Sequence, residues 1–341
     1  DLMSIAMPSS KLSERAHEVI ESVVALTEQR DELTLLRSLL ETILDILPDA
    51  QAVLVWLVPG AEPGQWVEDV SGPFPQLMFP VTDGLLAEIV RLDTRAPMRQ
   101  HEQDGQYYLI NSLGIQERQR KAIVIRQPEW TPADLRIAQG MIKIHANYAK
   151  LLFDSERDTL TGLYNRKKME QKMSELLLAR ISGYNREQDK DKADYVAVFD
   201  IDHFKLVNDN HGHLIGDEVL LIFAGLLRNA LRDADWVFRY GGEEFVALIK
   251  GVSPEVVSVI LERVRTKVQG HPFPQVGQVT VSTGYTPIID QALPSHVFEE
   301  ADKALYYAKA HGRNQVCDYR GLVGSGELVA EKHISGSIEL F

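Results

Sequence analysis

The 341-residue sequence is poor in cysteine: Cys317 stands alone. One thiol cannot close an intramolecular bridge, and such usage fits a reducing compartment. Missing too is any apolar run near the roughly 20 residues that a membrane-spanning helix needs. Positive charge is in short supply. Thirty-six Lys and Arg stand against 49 Asp and Glu, a formal net charge of -13. That balance argues against a binder of duplex nucleic acid or of anionic membranes, both of which require a basic face. Nucleotides remain open, because a few local cations suffice to hold them. No cationic signal-peptide flank precedes the first helical pattern. A cytoplasmic protein is therefore expected, and Asp1 as the first residue is consistent with a longer natural chain.

The length predicts two domains. Residues 10–47 carry Val19, Val23, Leu26, Leu33, Leu40, Leu44 and Leu47 near heptad spacing, interrupted by Arg30 and Arg37, which predicts helices. Pro48 ends the pattern. "AVLVWLV" (52–58) and "RKAIVIR" (120–126) read as strands, with a helix near 83–92 between them. Thr131 as a cap and Pro132 at the first helical position start a long helix over about 131–157, expected to act as a helical connector to the second half. Ile137, Met141, Ile144, Tyr148 and Leu151 give that helix a seam suited to self-association. The remainder alternates: a helix near 167–181, a charged loop, strand 195–201, helix 216–231, hairpin 236–249, helix 254–269, strand 278–284, helix 297–310 and strand 314–318. This is an α/β pattern around one sheet. Residues 321–341 give no clear signal, and no internal repeat is present.

The chemistry concentrates in two places. In "YVAVFDIDHFKLVNDNHGHLIGDEVL" an apolar strand delivers Asp200 at its end, with Asp202 two residues on and on the same face. In "RYGGEEFVALIK" two glutamates sit side by side where a sheet turns back, after Gly241-Gly242, which would need φ > 0 at both positions of a two-residue turn. A strand-end carboxylate facing one from a neighbouring hairpin makes a hard-oxygen site suited to Mg²⁺, which prefers a few carboxylates, waters and substrate phosphates.

These segments, followed by "ADKALYYAKAHGRN" and preceded by "DTLTGLYNR" (158–166), resemble the GGDEF family, the diguanylate cyclases, over about residues 158–318. The resemblance implies a palm-like domain (158–320) with a central, mostly antiparallel sheet flanked by helices. It implies that Asp200, the carbonyl of Ile201 and Glu243 hold Mg²⁺, with Mn²⁺ as the alternative. It further implies that Asn208 and Asp217 read guanine, and that Lys205, Lys309 and Arg313 contact the triphosphate of GTP, with His203 and Phe204 also at the substrate. A carboxylate such as Asp217 can accept guanine's N1–H and N2–H together, a pair adenine lacks, so such a site rejects the wrong base. Gly241 and Gly242 let backbone approach a nucleotide closely. Lys205 is counted with the catalytic groups. Glu244 is a candidate base for the attacking hydroxyl, and adjacency does not decide between it and Glu243. The implied reaction joins two GTP into cyclic di-GMP, so two domains must face each other in a homodimer.

Arg232 and Asp235 form an R-x-x-D placed where the family binds its product as an inhibitor, with Arg263 as a second phosphate contact. The bland reading of that pair is an exposed i,i+3 ion pair. Residues 48–150 resemble a GAF domain in architecture alone, with no ligand signature. His211, His213 and Asp209 could suggest a metal cluster, but histidines two apart do not share a helical face. The alternatives to an active cyclase are a catalytically silent GGDEF domain serving as a receptor for cyclic di-GMP or GTP, and an adenylyl-type cyclase. The latter would not need the guanine-reading pair.

Overall fold

The computed structural model describes residues 20–21, 23–29, 31–60, 66–68, 79–92, 97–116, 119–181, 192–232, 234–289 and 293–329. The chain divides into two compact units, Asp1–Ser155 and Glu156–Phe341. Residues 10–19, most of the charged loop before Asp194, and 330–341 lie outside the described residues.

In the first unit five strands form an antiparallel sheet in the order β2-β1-β5-β4-β3. They are β1 (Gln51–Pro59), β2 (Trp66–Glu68), β3 (Met98–Gln103), β4 (Gln106–Gln116) and β5 (Gln119–Gln127). Strand alternation sends Ala52, Leu54, Trp56, Ile123 and Ile125 to one face, where α1 (Glu32–Ile46) and α3 (Pro132–Ser155) cover them. Val53, Val55, Leu57, Ala122 and Val124 take the other face, under α2 (Asp83–Arg91). The helix starts follow from local chemistry. Thr131 and Asp134 cap α3 reciprocally, Asp134 N–H donating to Thr131 Oγ1 at 3.2 Å and Thr131 N–H to Asp134 Oδ2 at 3.3 Å. The α3 seam is largely used inside the unit. Met141 is buried, Ile137, Ile144 and Tyr148 pack partly on the α1 side of the core, and only Leu151 stands 64% exposed.

In the second unit β10 (Pro272–Phe273) and β11 (Gly277–Gln278) pair as a short ribbon, and a six-stranded sheet runs β13-β12-β7-β9-β8-β6. β7 (Ala193–Ile201) lies at its centre, antiparallel to both β9 (Glu244–Val252) and β12 (Val281–Ile288). β8 (Trp236–Gly241) follows, and β6 (Tyr164–Asn165) and β13 (Val316–Asp318) close the edges by parallel pairing. Helices on both faces explain why β7 is apolar nearly throughout. Tyr195, Ala197, Phe199 and Ile201 face α6 (His213–Ala230) and α7 (Pro254–Gly270). Val196 and Val198 face α4 (Arg166–Ile181) and α8 (Pro294–Ala310). The mixed α/β class with a mostly antiparallel palm-like sheet is thus as expected.

Several boundaries differ from the sequence reading. α6 begins at His213 rather than 216, and β12 spans 281–288 rather than 278–284. A helix at Phe204–His211 (α5) was not anticipated, because "NDNH" reads as turn residues; Phe204 and Val207, buried three apart, hold it. Gly284 explains how closely α8 sits on the sheet. A Cβ there would fall 2.1 Å from Leu305 N and 2.2 Å from Ala301 O, so strand and helix backbones meet directly.

Candidate active site

The hairpin between β8 and β9 turns at Gly242 and Glu243, with Gly241 still paired to Glu244. Of the two glycines only Gly242 has positive φ, +40°. The expectation of two such residues is corrected: the turn is displaced by one residue, which puts Glu243 in it. Glu244 opens β9 directly opposite Asp200 of β7. Like charges in that relation repel. Lys309, from the last turn of α8, partly offsets them with its Nζ 2.7 Å from Asp200 Oδ2.

Burial raises the pKa of Asp200 even so, outweighing Lys309, with Asp202 and Asp302 adding to the rise. Burial, then the Asp200 charge, raises Glu243 and Glu244 likewise. The Asp200 and Glu244 carboxylates face each other with Glu243 in the adjacent turn, and hard-oxygen ligands with excess negative charge are what Mg²⁺ requires. Among the described residues no three His, Cys, Asp or Glu converge as a ready-made cage. One or two carboxylates completed by substrate phosphates is the usual Mg²⁺ arrangement.

Asp202 takes another part. Its carboxylate is buried and accepts from Thr280 Oγ1 at 2.7 Å, Ser282 Oγ at 2.7 Å and Asn314 N at 3.0 Å. These bonds commit it to the Thr280 and Ser282 hydroxyls and to the backbone of the "GRN" loop instead of to the hairpin. That loop needs holding. Arg313 and Asn314 both have positive φ, +59° and +46°, a conformation costly for non-glycine residues that persists where surroundings impose it. Arg265 Nη1 adds a bond to Asn314 Oδ1 at 2.9 Å. Asp202 therefore positions Arg313.

Lys205, on α5, and Asp217, on α6, are exposed, and Asn208 of α5 is half-buried. Phe204 is buried beneath them, and His203 precedes α5 in a left-handed conformation with φ +59°. Gly216, beside Asp217, is what admits Asn208. A Cβ at 216 would lie 2.0 Å from Asn208 Oδ1 and 3.3 Å from Phe204 Cζ. His211 and His213 flank Gly212 at the break between the two helices.

Arg239 also belongs to the site, although spacing gave it no role. Its Nη1 donates to Asp158 Oδ1 at 3.0 Å, while Nε and Nη2 donate to Gly242 O at 3.0 and 2.8 Å. One guanidinium thus ties the hairpin tip to the turn that opens the unit, the bidentate reach that lysine lacks. Its signal was present in the two quoted motifs, each carrying one partner, but only the fold joins them.

Arg232, Asp235 and Arg263 meet at one corner beside the end of α6. Asp235 is buried and accepts from Lys250 N and Arg232 N, both at 3.1 Å. Arg232, its side chain 50% exposed, lies 3.4 Å from that carboxylate and donates to Lys250 O at 3.0 Å. Arg263 donates to Ala230 O at 2.6 Å. The pair is therefore not two solvated charges: one partner is a buried turn acceptor.

Residues 155–315 match the family model described as "Diguanylate cyclase, GGDEF domain". Diguanylate cyclase DgcP of Pseudomonas aeruginosa is 42% identical over 163 residues, 47% of this chain and 23% of that protein. Diguanylate cyclase A of Treponema denticola is 33% identical over 181 residues, 52% of this chain and 48% of that protein. The coiled coil and GGDEF domain of DgcB from Caulobacter crescentus, solved in complex with c-di-GMP, is 28% identical with a TM-score of 0.48, over 55% of this chain and 100% of that one. The chain thus spans about half or less of the length of these two curated relatives. No helix among the described residues is long and apolar enough to cross a membrane. By family model and relatives together, the second unit carries a GGDEF domain.

Proposed function

We propose that the chain is a diguanylate cyclase that condenses two GTP into cyclic di-GMP and two pyrophosphates. The observation that carries the reading is the cross-strand pair Asp200 and Glu244 beside Glu243 and Lys309, in a GGDEF domain. Asp200, the carbonyl of Ile201 and Glu243 would hold Mg²⁺ or Mn²⁺. The bound metal supplies charge neutralisation for the departing pyrophosphate. Asn208 and Asp217 read guanine, and Lys205, Lys309 and Arg313 hold phosphate oxygens, with His203 and Phe204 shaping the floor.

The 3′ oxygen of one GTP forms a bond to the α-phosphorus of a second, the bond to the bridging oxygen breaks, and pyrophosphate leaves with its electrons. The proton of the 3′-OH passes to Glu244 or Glu243, the two carboxylates at the tip of the hairpin. The same step in the opposite sense closes the ring. A single domain supplies one set of these residues, so the working form is a homodimer. Arg232 with Arg263 and Asp235 forms a product site that restrains turnover, and the first unit is a GAF-like regulatory domain. Incubation with GTP and Mg²⁺ should give cyclic di-GMP by mass, and Glu243→Gln should cut the rate about 100-fold or more with the fold intact. GTP recovered unchanged, or full turnover by folded Glu243→Gln, would refute the reading.

A further inference from the structure

The first unit carries a cleft of about 650 Å³ at the ends of β3, β4 and β5. That size suits a small-molecule ligand. Tyr107 and Trp130 form its aromatic wall on the α3 side of the sheet, with Glu102 cross-strand from Tyr107; the next pair, His101 and Tyr108, turns to the α2 side. Among the described residues its charges are all of one sign, from Glu102 and Glu129, and no lysine or arginine lines it. Trp130 is fixed in place, its Nε1 donating to Tyr107 O at 3.3 Å. The nearest strand cation is engaged elsewhere. Arg126, cross-strand from Tyr108, lies over the Phe79 ring at 4.5 Å and is hydrogen-bonded to Gln51.

We infer that this cleft binds a small organic cation of the quaternary or alkylated ammonium class. Aromatic faces present negative quadrupole to a cation that cannot satisfy itself with strong hydrogen bonds, and the two carboxylates add long-range attraction. An anionic metabolite meets two like charges and no counter-ion. A neutral ligand of the same shape gains the burial but neither electrostatic contribution. The location gives binding a consequence: Trp130 directly precedes Thr131 and Asp134, which cap α3. Occupancy therefore acts on the start of the helix that ends the first unit at Ser155.

Calorimetry on the full chain with choline as probe, and with its neutral isostere 3,3-dimethyl-1-butanol, tests this. Choline is expected to bind saturably, and the isostere about 5- to 30-fold more weakly. The Glu102→Gln/Glu129→Gln chain should lose about 5-fold, and Trp130→Leu still more. If Trp130→Leu does not fold, Trp130→Phe keeps a ring and should retain most of the affinity. No saturable choline binding, equal binding of the isostere, or a Glu102→Gln/Glu129→Gln or Trp130→Leu chain that binds choline as tightly as the wild type would each overturn the inference. GTP turnover plays no part in these readouts, so they stand or fall apart from the cyclase reading.

Discussion

Gly216→Ala separates packing from recognition at the proposed nucleotide site. A Cβ at 216 would lie 2.0 Å from Asn208 Oδ1, 3.1 Å from Asn208 Cγ and 3.3 Å from Phe204 Cζ. Oxygen and carbon need about 3 Å or more, so the carboxamide must retreat by about 1 Å, while the ring yields a few tenths. Asn208 can do so by rotating its side chain, which makes the folding cost small. Alanine within helix α6 gains about 1 kcal/mol over glycine. Stability should thus be unchanged or slightly higher. Recognition should move the other way. Losing one placed hydrogen-bonding group costs about 1–3 kcal/mol, or 5- to 150-fold in affinity. Calorimetry with a non-reacting GTP analogue, beside thermal unfolding, reads both. In an Asn208→Ala background, Gly216→Ala should cost no further affinity, since the displaced group is gone. A Gly216→Ala protein that binds the analogue as tightly as the wild type would refute the reasoning.

Gly284→Ala offers the contrasting case, because its clash is with helix backbone that no rotamer relieves. Forced overpacking costs about 1–3 kcal/mol, so the melting temperature should fall by about 5–10 °C, and an unchanged value would contradict the close approach. His145 is 2% exposed with both ring nitrogens unpartnered, and burial, with Lys121 adding to it, holds its pKa down to about 4 against 6.5. A depressed folded-state value means the stability is present above pH 6.5 and is lost as pH falls toward 4, about 3 kcal/mol in all. Denaturant titrations at pH 7.5 and 5 should show about 2 kcal/mol of that loss in the first unit, absent in His145→Leu. Arg232→Ala should retain the initial rate with GTP, bind cyclic di-GMP less tightly and slow less as product accumulates. Asp235 keeps its backbone donors, so the turn survives. Identical progress curves and calorimetry would leave the Arg232 side chain a structural tie to Lys250 alone.

The legible parts of the sequence were those where one contiguous segment carries both the element and the chemistry. Asp200 terminates an apolar strand, and the glutamates follow a glycine pair, so strand periodicity and turn chemistry placed them. What escaped depends on contacts between distant segments. Asp202 shared a face with Asp200 by alternation, but the chain turns after Ile201 and carries it to Thr280, Ser282 and Asn314. The R-x-x-D spacing presents Asp235 as a carboxylate open to a ligand, yet it lies buried and accepts from Lys250 N on β9. The seam on α3 looked unpartnered because α1 lies about a hundred residues upstream. Gly216 gave no signal at all: the reason for a missing side chain is the neighbour that would occupy its place.

The Arg239 bridge from Asp158 to the Gly242 carbonyl has a consequence for anyone recombining this domain with other modules. By strand pairing alone, a cut just before β6 at Tyr164 would spare the entire sheet. It would nevertheless discard Asp158 and leave the hairpin tip held from one side only. The transferable module therefore begins no later than Glu156, whose carboxylate also anchors Lys168, and a fusion that starts further in keeps the fold while slackening the residues that would do the chemistry.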